Sequence, residues 1–338
     1  MKTFDIAILG ATGAVGQSML EILVEREFPV KRLYPLASAR SAGNTVQFRG
    51  QALPVEEVEK FDFGKVQIAL FSAGGSVSAQ YAPIAAKAGC MVIDNTSHFR
   101  YEKDIPLIIP EVNPQAIQNA KNRNIIANPN CSTIQMLVAL KPIYDAVGIS
   151  RINVATYQSV SGTGQKAINE LRLQSEAFLR GKSLAPEVYP IPIAFNIIPH
   201  IDAFEANGYT REEMKMVWET RKILQDDDIV VNPTAVRVPV FYGHSEAIHI
   251  ETKQKLSAID AKALLEKAPG IVVKDFAEAK GYPSPLVDAA GKNPVFVGRI
   301  REDISHPLGL NLWVVSDNIR KGAALNSVQI AELLIRDW

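Results

Sequence analysis

The sequence predicts an α/β chain of two domains: a doubly wound parallel sheet, then an α+β domain on an antiparallel or mixed sheet. Three observations carry this. A length of 338 residues exceeds what one hydrophobic core usually organises. The first part of the chain alternates short apolar runs with helical or irregular links, as right-handed βαβ crossovers require. Beyond residue 131 the strand candidates are longer and the helices separate them less regularly.

Phe4-Asp5-Ile6-Ala7-Ile8-Leu9 reads as a buried strand, followed by a glycine loop, Gly10-Ala11-Thr12-Gly13-Ala14-Val15-Gly16, and an amphipathic helix from Gln17 to Glu27. Val30 to Ala37, Val66 to Ser72 and Met91 to Asp94 give three further strands. In a Rossmann-like sheet of this kind the ligand crevice lies at the carboxyl ends of the strands, where Gly10, Ser38, Ala73 and Asn95 fall. After residue 131, strands are expected at Ile152 to Val160, Ala235 to Val240, Ala247 to Thr252 and Leu310 to Ser316. Helices are expected at Gly164 to Leu179, Arg211 to Leu224 and Ala258 to Lys267. Gly281 to Pro294, rich in Pro and Gly, reads as a surface loop, and Ala323 to Asp337 as a closing amphipathic helix. The expected domains are 1–127 and 128–319, with a C-terminal helix in 320–338 returning to the first.

Composition narrows the function. Lys plus Arg balance Asp plus Glu at 36 each, so no global field favours nucleic acid or an anionic membrane, and no run is long enough to span a bilayer. Asp5 and the glycine turn interrupt anything like a signal-peptide core, so the glycosylation patterns at Asn95-Thr96-Ser97 and Asn130-Cys131-Ser132 carry no meaning. Two cysteines without a paired spacing fit neither a disulfide framework nor a cysteine zinc site; the cytoplasm is expected, and no metal.

The glycine loop is G-x-x-G-x-x-G, one residue wider at its first spacing than the common dinucleotide fingerprint. Its place between strand and helix suits a pyrophosphate, which glycine lets the backbone approach and helix N–H groups bind. A flexible turn is the plain alternative. The second strand ends without a carboxylate, in Ala37-Ser38-Ala39-Arg40-Ser41. Ser38, Arg40 and Ser41 suit a 2′-phosphate, favouring NADP over NAD; the plain alternative for Arg40 is a solvated loop cation.

Cys131 stands at a polar loop-to-helix junction, Asn128-Pro129-Asn130-Cys131-Ser132-Thr133, ahead of an apolar helical run from Ile134 to Leu140. A thiol at a helix N-terminus is activated as a nucleophile. The competing reading is a small buried hydrophobe, the role expected of Cys90 at the start of an apolar strand.

The segments Gly10 to Gly16, Asn95 to Arg100, Asn128 to Thr133, Tyr157-Gln158-Ser159-Val160-Ser161-Gly162, Arg237-Val238-Pro239-Val240 and Gly243-His244-Ser245-Glu246, taken in order, closely resemble the bacterial aspartate-semialdehyde dehydrogenases. The resemblance covers both halves of the chain. It implies Cys131 as acyl-thioester nucleophile, His244 as acid/base group and Gln158 as orienter of the intermediate. Arg237 would grip the substrate α-carboxylate, with Glu212 near its ammonium. Arg100, Asn130 and Lys215 would bind phosphate, and Lys215 would border the substrate. From residues alone, Arg237 could be an outward-facing strand charge, and Glu212 with Lys215, three apart on a helix, a solvated ion pair. His244 competes with His98, His200, His249 and His306; His249 lies within a strand and reads as structural. Gly10, Thr12, Gly13, Ala14, Val15, Gly16, Ser38, Arg40, Ser41, Ser72, Ala73, Gly74, Asn95, Ser161, Gly162 and Asn318 form the expected NADP set.

The implied reaction is the reversible reduction of 4-aspartyl phosphate to aspartate 4-semialdehyde and phosphate, feeding lysine, methionine, threonine and diaminopimelate synthesis. A homodimer is implied by analogy. N-acetyl-γ-glutamyl-phosphate reductase, whose substrate lacks a free ammonium, and a non-catalytic relative acting as a binding protein are the alternatives.

Overall fold

The computed structural model describes residues 2–277 and 279–336. It divides into two compact units, Met1–Asn130 with Ala323–Trp338, and Cys131–Gly322. The first unit runs β1 (Phe4–Leu9), α1 (Ala14–Glu25), β2 (Val30–Ala37), β3 (Thr45–Phe48), β4 (Gln51–Pro54), β5 (Glu56–Glu57), β6 (Ile68–Phe71), α2 (Gly75–Lys87), β7 (Met91–Asp94) and β8 (Ile125–Ala127). Six strands form one parallel sheet, ordered β5-β2-β1-β6-β7-β8, while β3 and β4 pair as a hairpin. The doubly wound parallel sheet expected from the alternation is present. Strands β1, β6 and β7 are buried almost throughout, as central strands covered on both faces must be.

The C-terminal helix, Leu325–Ile335, closes this unit's core. Its Leu325, Val328, Ile330 and Leu334 pack with Met19, Ile22 and Leu23 of α1. Arg26 grips Glu332 through two bonds, at 2.6 and 2.7 Å, and Asn326 donates to Asn128 Oδ1 at 2.7 Å. The expected helical limit at Asp337 lies outside the described residues.

The second unit opens with α3 (Cys131–Val147) and continues β9 (Ile149–Gln158), α4 (Gln165–Leu179), α5 (Arg211–Leu224), β10 (Val230–Arg237), β11 (His244–Thr252), α6 (Ala258–Glu266), β12 (Ile271–Val273), β13 (Val295–Glu302) and β14 (Gly309–Ser316). Its sheet is mixed, ordered β10-β9-β11-β14-β13-β12, with parallel pairs at both edges and antiparallel pairs between. Burial along β9 alternates with period two, so one face lies under α3 and the other is half-exposed. That half-exposed face carries a cleft of about 400 Å³ lined by Ala247, Arg299, Arg301, Leu312 and Trp313.

Three expectations are corrected. Helix α1 begins at Ala14 rather than Gln17, because the last three loop residues already turn helically, and it stops before Glu27, whose φ is +51°. Strand β10 begins at Val230, ahead of Ala235. Pro233 lies inside it, which an edge strand tolerates because its missing N–H can face away from the ladder. Gly281 to Pro294 is no simple surface loop: Pro285–Ala289 makes a π-helical turn, and its Asp288 is buried in an ion pair with Lys274 at 2.7 Å.

Candidate active site

In the first unit, the residues expected at the dinucleotide gather at the carboxyl ends of β1, β2, β6 and β7. Gly10 has φ +91°, and a Cβ there would lie 2.9 Å from the Ser72 carbonyl carbon. A Cβ on Gly16 would meet Gly10 O at 2.2 Å. Chain packing therefore demands both glycines. Gly13 is different, since its φ of −81° is ordinary and an added Cβ would find its nearest neighbour at 3.4 Å. Gly13 caps α1 without a side-chain bond, so it supplies no acceptor to the first N–H groups of the helix. Thr12, Ala14 and Val15 border the same turn. Gly74, φ +98°, is the equally bare cap of α2 after Ser72 and Ala73. Asn95 follows β7, donating to Phe71 O and accepting from Ser327.

Ser38 and Arg40 are exposed and Ser41 half-buried in the turn after β2. The fold also brings two carboxylates to that strand end: Glu56 and Glu57 of β5 pair beside Leu36 and Ala37, and Glu57 is held by Lys60 at 2.7 Å. Sequence reasoning missed them because the strand that carries them has two residues. Arg100, buried, donates to Asn95 O at 2.9 Å, and Asn130 is buried at the end of this unit's main segment.

In the second unit Cys131 is the first residue of α3, at the electropositive end of the helix. It is partly accessible, whereas Cys90 is buried, and burial pushes the Cys90 thiol up to about 12. Gly322 abuts Cys131: a Cβ there would lie 2.7 Å from Cys131 Cβ. Only glycine fits without displacing Cys131 or the turn at Arg320–Ala324.

Gln158 ends β9 and Arg237 ends β10, directly paired in register, and His244 begins β11. All three side chains are buried. The buried alternative for Arg237, not the outward-facing one, is realised. Its Nη1 donates to Ser159 O at 2.7 Å, while Nε has no partner in the protein. His244 Nδ1 accepts from the Ser159 backbone N–H at 3.1 Å. An amide can only donate, so the proton of the neutral ring sits on Nε2, which is buried without a partner. Burial and then the Arg237 charge hold the ring's pKa down at about 3, against the weaker pull of Glu212. Gly162 lies between the two side chains, its Cβ direction 3.3 Å from both Arg237 Nη1 and His244 Nε2. The two side chains thus approach the same glycine, and each keeps one buried donor, Arg237 Nε and His244 Nε2, that an anionic or carbonyl oxygen would satisfy.

Asn318 organises the surrounding turns. Its Oδ1 accepts from Ser159 Oγ at 3.0 Å, Ser161 Oγ at 3.1 Å and Gly243 N at 3.0 Å. Gly243, φ +88°, packs on Pro285, which a Cβ would approach to 2.9 Å, so the π-helical turn reaches the base of the site.

Glu212 and Lys215 share the buried face of α5, whose start is fixed by a reciprocal Thr210 and Glu213 cap. They are paired at 2.9 Å. Glu212 Oε1 also accepts from Gln158 Nε2 at 3.2 Å. Asp202, which sequence reasoning did not single out, joins Lys215 at 2.8 Å; it lies in an irregular segment with no motif to mark it. His249 is the structural histidine expected, bonded to Asp303 at 2.8 Å and to Asn153 at 3.2 Å.

Two family models match this chain: the NAD binding domain of semialdehyde dehydrogenases over residues 5–120 and their dimerisation domain over 140–321. The aspartate-semialdehyde dehydrogenase of Shewanella violacea is 66% identical over 337 residues, covering 100% of this chain and 99% of its own. The chain belongs to the aspartate-semialdehyde dehydrogenase family. Within the family, a crystal structure of aspartate semialdehyde dehydrogenase II from Vibrio cholerae complexed with ASA superposes with TM-score 0.98 at 61% identity, covering 100% of both chains. The Candida albicans family member, solved with NADP, has TM-score 0.78 at 27% identity over 98% of each chain. Among the described residues, no helix is long and apolar enough to cross a membrane.

Proposed function

We propose that this chain is an NADP-dependent aspartate-semialdehyde dehydrogenase in which Cys131 carries the acyl group. In the oxidative direction the Cys131 thiolate adds to the aldehyde carbon, giving a thiohemiacetal. When bound, the dinucleotide takes up or supplies the hydride. Loss of hydride and of the hydroxyl proton leaves a thioester, and a phosphate oxygen then attacks its carbonyl carbon, expels the thiolate and yields the acyl phosphate. The observation that supports this most strongly is the pair of unpartnered buried donors, Arg237 Nε and His244 Nε2, in the unit that begins with Cys131. A protein that only kept the fold would have no reason to retain them.

His244 polarises the reacting oxygen through Nε2–H. Net proton transfer needs the imidazolium, which the negative charges of substrate and thiolate favour against burial and Arg237. To accept the hydroxyl proton the ring must present its lone pair at Nε2, so Nδ1 carries the N–H and the contact with the Ser159 amide gives way to one with Ser159 Oγ, 3.1 Å away. Gln158, tied to Glu212, orients the intermediate. Arg237 binds the α-carboxylate, Glu212 the α-ammonium, and Lys215, Arg100 and Asn130 the phosphate. Residues 1–130 bind NADP, with Arg40, Ser38 and Ser41 on the 2′-phosphate; residues 131–322 hold the catalytic groups and form a homodimer through the half-exposed sheet face. The compartment is the cytoplasm, and the role is amino-acid biosynthesis.

N-acetyl-γ-glutamyl phosphate fits less well, because it brings no free ammonium for the Glu212 carboxylate to bind. The test is an absorbance assay of NADP reduction with L-aspartate 4-semialdehyde and with N-acetylglutamate 5-semialdehyde, with and without phosphate. Phosphate-dependent turnover of the first alone is expected; turnover of the second instead would overturn the reading.

A further inference from the structure

The chain between α4 and α5 folds back onto the end of β10, and α4 holds it there. Glu170, buried on α4, accepts from the backbone N–H groups of Glu187 and Val188, and Gln174, one turn on, accepts from those of Ile193 and Ala194. Ile198 then exchanges two backbone bonds with Arg237, at 2.8 and 3.0 Å. Tyr189 lies inside this clamped stretch, where the following Pro190 disfavours a helical backbone. Its hydroxyl donates to Thr163 Oγ1 at 3.1 Å, and Thr163 ends the turn that carries Gly162. The Arg237 guanidinium carbon stands over its ring, 5.8 Å from the centroid. Burial pushes the phenol's pKa up against the pull of Arg237, so the ring meets the cation as a neutral π system.

We propose that Tyr189 is a positioning residue for the reaction, which caps one face of the Arg237 guanidinium and so directs its remaining in-plane donors at the substrate α-carboxylate. This rests on the carboxylate grip assigned to Arg237 above. A guanidinium donates only in its own plane, so a ring on its face takes no hydrogen bond from it. Ser159 O holds the Nη1 edge, the Tyr189 face limits rotation of the fork out of that plane, and the Nε edge is left for a ligand. The ring also keeps water from one side of the cation, which strengthens its attraction for an incoming carboxylate. The hydroxyl serves to hold the ring, through Thr163.

The test measures kcat and KM for L-aspartate 4-semialdehyde, at saturating NADP and phosphate, in Tyr189→Leu and Tyr189→Phe. Tyr189→Leu removes the aromatic face and leaves an apolar side chain, and kcat/KM should fall about tenfold, as expected for loss of a partly buried cation–π contact. Tyr189→Phe keeps the face and loses only the tie to Thr163, so it should stay within about threefold of wild type. In an Arg237→Lys background, where no planar fork remains to be oriented, Tyr189→Leu should cost less than about twofold more. The KM for phosphate and the affinity for NADP should not change. If Tyr189→Leu does not fold, Tyr189→Met, equally without an aromatic face, makes the same comparison. Wild-type kinetics in Tyr189→Leu, equal losses in the leucine and phenylalanine variants, a defect confined to NADP or phosphate, or a loss that adds in full to that of Arg237→Lys would overturn the proposal. An Arg237→Lys enzyme with unchanged kcat/KM for aspartate semialdehyde would instead overturn the carboxylate grip on which it rests.

Discussion

At Arg237 the guanidinium fork matters as much as its charge. One nitrogen is committed to Ser159 O and another is buried without a partner, so the side chain is anchored on the protein with a donor left for a ligand. Lysine offers a single point of charge and cannot do both. Arg237→Lys should therefore lower kcat/KM for aspartate semialdehyde by about thirtyfold, the cost of one charge-assisted hydrogen bond of ~2 kcal/mol, with kcat falling as well because the reacting carbonyl is less well placed. NADP binding, measured by fluorescence titration, should not change; a defect confined to the cofactor would show that Arg237 does not grip substrate. Arg40 calls for the opposite comparison. Arg40→Ala should weaken NADP binding by ten- to more than a hundredfold, roughly 1.5–3 kcal/mol, and NAD binding far less. Equal weakening would place the guanidinium away from the 2′-phosphate.

The elements show how much was legible in the sequence and where legibility ended. Strands β1, β2 and β7 and helix α5 fall where periodicity puts them, since each is a strong apolar run or a capped amphipathic helix. Strands β5, β8 and β12, of two or three residues, carry too little pattern to be read locally and exist because neighbouring strands offer a ladder. Cys131, Gln158, Arg237 and His244 were singled out as candidates because each lies in a segment that resembles the family, and the fold puts each at an element boundary. Asp202 was not, since its partner lies thirteen residues away on α5.

Glu246 is another residue only the fold reveals. On β11 it points, like Ile248 and Ile250, to the buried face under α3, and neither carboxyl oxygen has a partner at hydrogen-bonding distance. Burial pushes its pKa well above the usual value, outweighing the downward pull of nearby Gln135. The folded chain thus keeps a proton that the unfolded chain releases above the ordinary glutamate range. Stability from this group is intact below that range and is lost as pH rises beyond it. Glu246→Gln, which mimics the protonated acid, should stabilise the fold at pH 8 by an amount on the order of 1 kcal/mol, read as a raised melting temperature, with the gain shrinking toward pH 5. A destabilised variant at pH 8 would mean that the carboxylate is ionised and partnered in the native protein.

For the molecule as a whole, the proposed reaction requires one thiol to carry the acyl group between hydride transfer and attack by phosphate. Cys131 begins α3 and has access to solvent, while Cys90 is sealed in the first unit's core. Neighbouring Gly322 leaves the room that the thiol's position demands. Without phosphate, acyl transfer should stop at the thioester. The most direct measurement is a stopped-flow trace of NADPH formation from aspartate semialdehyde and NADP in phosphate-free buffer, followed by mass spectrometry of the acid-quenched protein. A burst of one NADPH per subunit and an acyl adduct on Cys131 are expected, both absent in Cys131→Ala and retained in Cys90→Ala. No burst, or a burst that survives in Cys131→Ala with no adduct on Cys131, would contradict the proposed reaction.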